Sequence, residues 1–309
     1  MKILLTGKTG QLGWDLERIL PAVGDVVALD RQGLNLADPK SIRRAVEKIR
    51  PNLIVNAAAY TAVDLAEDEP ELAYAINAEG PGMLAEEAKK IGAALLHYST
   101  DYVFDGRKTS PYTEDDPTGP LNVYGKTKLA GEQAIQAVGV PHLIFRTSWV
   151  YSTRGKNFLL TILRLAAERE ELRIVNDQVG CPNYSRRLAE ATAAVIKRVS
   201  ASANRFTVGE LSGIYHMSGA GKTTWYEFAK TILEKMRQAG FDASPKKLKA
   251  RHVVPITTGE FPTRATRPGY SVLSSARLQG QFGVQLPVWQ TQLEDAMSII
   301  GREAAAPKA

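Results

Sequence analysis

The N-terminal half of the chain alternates short apolar runs with segments whose apolar residues recur at helical spacing. Ile3, Leu4 and Leu5 predict a buried strand over 2–6, followed by a helix over 14–20. A second strand over 26–30 ends in Asp30. Ile42, Ala45, Val46 and Ile49 predict a helix over 39–49, which Pro51 stops. A third strand over 53–59 runs into three small residues, Ala57, Ala58 and Ala59. Residues 64–71 are rich in acids and read as a solvated helix face or loop. Residues 74–91 read as one long amphipathic helix despite Gly80 and Pro81. A strand over 93–98 delivers Ser99, Thr100 and Asp101 at its carboxyl end. Residues 102–120, rich in Pro, Gly, Asp and Thr, read as a surface loop. Asn122 caps the next helix, and a strand over 142–146 leads to Trp149.

Strand and helix thus alternate for 150 residues. That pattern predicts an α/β fold, a doubly wound parallel Rossmann-type sheet over 1–150. The later half is less regular. Helices are expected over 157–170, 188–199, 224–239 and 286–300, and strands over 172–175 and 214–217. Residues 245–268 form a proline-rich, basic stretch, and 303–309 are expected to fray. This material predicts a smaller mixed α/β C-terminal lobe over 151–309 that binds substrate. Some strands from 172–217 are expected to rejoin the main sheet.

Composition narrows the classes. The 309 residues are 44% hydrophobic and 23% charged, ordinary for a globular protein. No apolar run reaches the roughly 18 residues of a membrane helix. The N-terminus enters a strand without a signal peptide, and the single cysteine, Cys181, makes no internal disulfide, so a cytoplasmic setting is expected. The net charge of +6 favours an anionic ligand. Lys and Arg are spread along the chain and not interleaved with aromatics, so neither nucleic acid nor membrane is an expected partner. The four histidines show no metal-ligand spacing.

The chemistry begins at Gly7-Lys8-Thr9-Gly10-Gln11-Leu12-Gly13, between the first strand and the first helix. A glycine turn opening a helix offers free N–H groups and a positive dipole end to a dinucleotide pyrophosphate. The spacing is G-x-x-G-x-x-G, which resembles the extended short-chain dehydrogenase/reductase superfamily. Asp30, about 20 residues on, is placed to bond an adenosine ribose, whereas Arg31 would accept a 2′-phosphate, so NADPH and NADH are both expected as cofactors. Tyr124 and Lys128 lie four apart on one helix face. In that superfamily such a pair is catalytic: the tyrosine protonates a carbonyl, and a nearby ammonium is expected to lower its pKa. Thr100, at a strand end, would polarise the carbonyl. A second copy of the spacing, Tyr226 to Lys230, lacks the preceding strand and glycine motifs and reads as packing.

Longer motifs sharpen the resemblance. Residues 7–14, 56–64, 99–106, 120–132 and 146–151, with Asn176-Asp177-Gln178 and Arg267-Pro268-Gly269, resemble the dTDP-4-dehydrorhamnose reductase family over nearly the whole chain. The resemblance implies NAD(P)H-dependent reduction of the C4 ketone of dTDP-4-dehydro-L-rhamnose to dTDP-L-rhamnose, a precursor of bacterial surface polysaccharide such as O-antigen. It implies that Gly7, Gly10, Gln11, Leu12, Gly13, Asp30 and Arg31 hold pyrophosphate and ribose, with Asn35 and Leu36 by the adenine. Ala59, Tyr60, Thr61, Tyr98, Tyr124 and Lys128 would line the nicotinamide side, and Thr100, Asp101, Val63 and Trp149 would face the substrate. Some relatives bridge a dimer with magnesium; Arg186 and Gln290 stand where two of their carboxylates would be, and Asp15 where a third is Glu, so no metal is expected and monomer and homodimer stay open. Related dehydratases follow the catalytic Thr with Asp-Glu. Here Tyr102 takes the second place, which favours reduction over elimination. Another sugar-nucleotide reductase or epimerase, and a regulatory subunit like that of methionine adenosyltransferase, are the alternatives.

Overall fold

A computed structural model describes residues 1–200, 208–238 and 248–305, the last three as backbone only. Its main sheet holds β1 (Lys2–Thr6), β2 (Asp25–Leu29), β3 (Leu53–Asn56), β4 (Ala94–Thr100), β5 (His142–Thr147) and a late strand, Gly213–His216. All are parallel, in the spatial order Gly213–His216, β5, β4, β3, β1, β2. The chain runs outward from β1 to β2 on one side and through β3, β4 and β5 on the other. The switch point therefore lies between β1 and β3, where α/β sheets bind ligands at their carboxyl edge.

Strand residues alternate between two cores, as a pleated sheet covered on both faces requires. Ile3, Leu5, Leu53, Val55 and Leu96 pack with Leu16 of α1 (Gln11–Ile19) and with Leu188 and Val195 of the helix Ser185–Val199. Leu4, Ile54, Leu95 and Ile144 face the other way, onto Ile42 and Val46 of α2 (Pro39–Ile49) and onto Leu84 and Ile135. Each such side chain contributes about 1.5–3 kcal/mol by leaving water.

The long helix expected over 74–91 starts earlier and is interrupted. It runs as α3 (Pro70–Tyr74), a π-turn at Ala75–Glu79, and α4 (Gly80–Lys90). Pro81 has no N–H to continue the ladder, and the wider turn accommodates that loss. The turn directs Asn77 at the site: its side chain accepts from Tyr60 N at 2.8 Å and donates to Tyr60 O at 3.0 Å and Thr127 Oγ1 at 3.1 Å. Thr127 belongs to α5 (Val123–Val138), capped by Asn122 Oδ1 accepting from Gly125 N at 2.8 Å.

The C-terminal material forms its own core from the helices Phe158–Glu168, Trp225–Gln238 and Trp289–Ala305. The strand Glu171–Val175 pairs there with His252–Ile256 and takes no place in the main sheet, whereas Gly213–His216 sits at its edge. Residues 239–247 and 306–309, parts of segments read above as helix, basic stretch and frayed end, lie outside the described residues. Among the described residues no helix is long and apolar enough to cross a membrane.

Residues 102–120 are not simply a surface loop. Val103, Phe104 and Tyr112 are buried with Tyr270, Val272 and Leu273, and Phe104 stacks on Tyr112 with centroids 4.2 Å apart. The turn-forming composition concealed three anchors whose partners lie far along the chain.

Candidate active site

A cavity of about 750 Å³ opens where β1, β3, β4 and β5 end. Gly7 stands at φ 74°, and a Cβ there would meet Ala58 N at 2.7 Å, so the turn lies directly on the end of β3. A Cβ on Gly13 would meet Gly7 O at 2.0 Å; Gly13 thus closes helix onto turn and stays off the cavity wall. Gly10 occupies the N-cap of α1 in extended conformation, and no acid stands in the helix's first turn. The dipole end is open to an anion. Gln11 and Leu12 line the opening, and Asn157 holds Gln11 by donating from Nδ2 to its Oε1 at 3.0 Å.

Beyond β2, Arg31, Asn35 and Leu36 line the cavity, but Asp30 does not. Its Oδ1 accepts from Gln32 N at 3.0 Å and Gly33 N at 3.1 Å, and Oδ2 lies 4.0 Å from Lys8 Nζ. These backbone bonds, above all that from Gly33, hold the carboxyl below its ordinary pKa. Asn35 closes its own turn, Oδ1 accepting from Ala37 N at 3.2 Å.

Thr100, Asp101, Tyr124 and Lys128 converge on the floor. The Thr100 hydroxyl donates to Asp101 Oδ1 at 3.0 Å and accepts from Tyr102 N at 3.2 Å. Burial pushes Asp101 up to about 6, against the Ser271 and Thr100 hydroxyls, which favour its anion. Tyr124 overturns one expectation: its pKa is raised to about 12, not lowered. Burial dominates and the Asp101 charge adds to it, while Thr100 opposes. The Lys128 amine is engaged elsewhere, donating to Tyr98 O at 2.6 Å beside His97. Burial takes Lys128 itself down to about 8, with Glu132 opposing.

Ala59, Tyr60, Thr61, Val63 and Trp149 also line the cavity. Tyr60 OH donates to Glu69 Oε2 at 2.7 Å, and burial with that carboxylate raises the phenol to about 12. Tyr98 reaches the cavity, though its phenol is bonded to Thr192 at 2.5 Å in the core. Trp149 holds φ at 45°, a strained conformation for a side chain of this size. Buried Asn183 fixes that turn, Nδ2 donating to Ser148 O at 2.8 Å while Oδ1 accepts from Gly219 N at 2.6 Å.

A family model described as RmlD substrate binding domain matches residues 1–301. A dTDP-4-dehydrorhamnose reductase of Burkholderia thailandensis is 48% identical over 94% of this chain and 96% of its own. The chain belongs to the dTDP-4-dehydrorhamnose reductase family. Two solved structures agree. A dTDP-4-dehydrorhamnose reductase from Clostridium acetobutylicum superposes with a TM-score of 0.86 at 37% identity, over 97% of this chain and 99% of that one. Another from Bacillus anthracis, in complex with NADP, gives 0.84 at 36%, over 96% and 99%.

Within this dTDP-4-dehydrorhamnose reductase family member, several site features escaped the sequence reading. Trp225 lines the cavity and stacks on Trp149, and Lys156 joins the rim. Neither has a local motif. The acidic stretch keeps the exposure expected of a solvated face and is also tied to distant segments. Asp64 accepts from Arg267 Nη2 at 2.8 Å and from Ala265 N at 3.1 Å, Asp68 pairs with Arg264, and Glu67 accepts from Val123 N at 2.8 Å. Two of these partners, Arg264 and Arg267, belong to the basic stretch, so the two charged segments meet. The second Tyr-Lys copy lies off the cavity, with Lys230 paired to Glu227 at the surface. Cys181 is buried, its thiol pushed up to about 12 by burial and donating to Gly219 O at 3.2 Å. Asp15 bonds Ser185 Oγ at 2.5 Å with Arg186 nearby, and among the described residues no three His, Cys, Asp or Glu gather as metal ligands.

Proposed function

We propose that this protein reduces the C4 ketone of dTDP-4-dehydro-L-rhamnose to dTDP-L-rhamnose with NADPH or NADH, supplying sugar nucleotide for bacterial surface polysaccharide. The observation that carries the reading is that Thr100, Tyr124 and Lys128 line one cavity together with Gly7, Gly10, Gln11 and Leu12 of the glycine turn, in a chain of this family. A reduced nicotinamide dinucleotide, when bound, supplies hydride to the ketone carbon. The residues present fit such a group: the α1 N-terminus is open and side-chain-free at Gly10, and Arg31 and Lys156 add positive charge to the rim.

Tyr124 protonates the ketone oxygen as the carbon is reduced. Its raised pKa keeps it a phenol at neutral pH, so the proton is present when needed. Thr100 turns its hydroxyl from Asp101 to the same oxygen, donates to it and stabilises the negative charge that develops there. Lys128 holds the nicotinamide ribose. Trp149 and Val63 close on the sugar. Asp30, spent on its own turn and on Lys8, offers little to a ribose hydroxyl, while Lys8 and Arg31 suit a 2′-phosphate; NADPH is the better cofactor.

Mixing the protein with NADPH and dTDP-4-dehydro-L-rhamnose should remove the near-ultraviolet absorbance of the reduced cofactor, with one equivalent of dTDP-rhamnose formed. Binding of cofactor and sugar nucleotide without loss of absorbance would reject the assignment.

A further inference from the structure

Beneath the cavity floor runs a chain of buried hydrogen bonds that the chemistry above leaves unused. Lys128 Nζ lies 3.1 Å from His97 Nε2. The other ring nitrogen, Nδ1, lies 2.9 Å from Asn56 Nδ2. Asn56 Oδ1 accepts from the Thr6 hydroxyl at 2.6 Å and from Ala58 N at 3.2 Å. Thr6, Asn56, His97 and Lys128 are each no more than 2% exposed.

The Ala58 amide gives this chain its direction. A backbone N–H only donates, so the Asn56 atom facing it is the oxygen, and the atom facing His97 is the NH₂. His97 Nδ1 is then the acceptor, and a neutral ring carries its proton on Nε2. That proton points at Lys128. An ammonium has three donors and no acceptor, whereas a neutral amine has a lone pair to receive it. Burial disfavours the charged form of both groups, holding His97 well below its ordinary value and lowering Lys128 to about 8; the ring proton aimed at Lys128 supplies the remainder that makes the amine neutral at pH 7. The other titratable group acting on Lys128 is Glu132 of its own helix, bound to Arg146 of β5 at 2.6 Å and to Ser99 of β4 at 2.5 Å. Thr6 of β1 and Asn56 of β3 bring no charge.

We propose that Asn56 and His97 are positioning residues that fix one imidazole tautomer and thereby hold Lys128 as a neutral amine in the cofactor-free protein. Charging Lys128 requires the ring proton to move to Nδ1 and the Asn56 amide to turn, which breaks the Ala58 bond. The ionisation claim stands without the reductase reading; only its kinetic consequence rests on it.

The test is a long-range proton–nitrogen spectrum of the full-length protein labelled with ¹⁵N-histidine, the His97 signals being assigned by their loss in His97→Gln. The expected result is an Nε2–H tautomer that does not titrate through neutral pH. An Nδ1–H tautomer or an imidazolium in the unmutated protein overturns the proposal. Asn56→Asp, whose carboxylate only accepts, should convert His97 to Nδ1–H and raise the basic limb of the pH profile of turnover by about 1 unit or more. Retention of Nε2–H in that variant removes Asn56 from the mechanism; a changed tautomer with an unmoved limb removes the coupling to Lys128. If that variant fails to fold, the tautomer of the unmutated protein decides. Absence of turnover with the expected tautomer rejects the reductase reading and leaves this proposal standing.

Discussion

The indoles of Trp149 and Trp225 lie face to face, with centroids 3.5 Å apart and planes within 6°. Both line the cavity that Thr100, Tyr124 and Lys128 also line, and the stacked pair gives it a rigid apolar surface. One tryptophan comes from the turn after β5 and the other opens the helix Trp225–Gln238, so the C-terminal lobe completes the site.

Trp225→Ala should therefore raise KM for the sugar nucleotide about 2- to 10-fold, with kcat nearly unchanged, and Trp225→Phe should recover most of the loss. Steady-state kinetics at saturating cofactor checks this. Unchanged KM in the alanine variant would show that this surface does not touch substrate.

Tyr124→Phe should lower kcat by about 10²- to 10⁴-fold and leave NADPH affinity within a few-fold, because it removes a proton donor and little else. Turnover and a fluorescence titration of bound NADPH separate the two effects.

Asp101 predicts a pH dependence of stability. Its folded pKa, about 6, lies above its ordinary value, so folding favours the protonated form. The penalty for ionising it is absent at pH values below the unfolded pKa, grows as pH rises between the two values, and is complete above about 6. Asp101→Asn should stabilise the protein at neutral pH by about 3 kcal/mol, and this gain should nearly vanish near pH ~4. Urea unfolding at both pH values is the measurement. A gain that persists in acid would mean that the carboxylate is not the cause.

The Arg146–Glu132 pair joins β5 to α5 through two bonds, at 2.9 and 2.6 Å, with both side chains at most 3% exposed. Glu132→Ala leaves a guanidinium buried without its counter-charge and should cost about 3–5 kcal/mol. Denaturant midpoints for this variant and for the double variant Glu132→Ala/Arg146→Met check the origin: the double variant should recover part of the loss.

How much of this was legible in the sequence follows from how local each feature is. The Gly7–Gly13 turn and the Tyr124–Lys128 spacing encode their geometry within a few residues, and the strands of the main sheet carry their burial as apolar runs. Trp225 carried no such signal, since only the packing of the lobe brings it to Trp149. Asp64 read as part of a solvated acidic face, and nothing near it in the sequence names Arg267, because their pairing depends on the basic stretch folding back over the acidic one. The direction of the Tyr124 shift was misjudged for a related reason. Spacing puts Lys128 on the same helix face, but its amine is engaged by the Tyr98 carbonyl and His97, and burial governs Tyr124.

The most direct test of the central claim is to run the reaction with NADPH deuterated at the transferring position of its nicotinamide and to examine the sugar nucleotide by mass and proton spectra. The account predicts one deuterium, carried on C4 of dTDP-L-rhamnose, and none with Tyr124→Phe over the same time. Sugar nucleotide recovered without deuterium, while the labelled cofactor is bound, would contradict it.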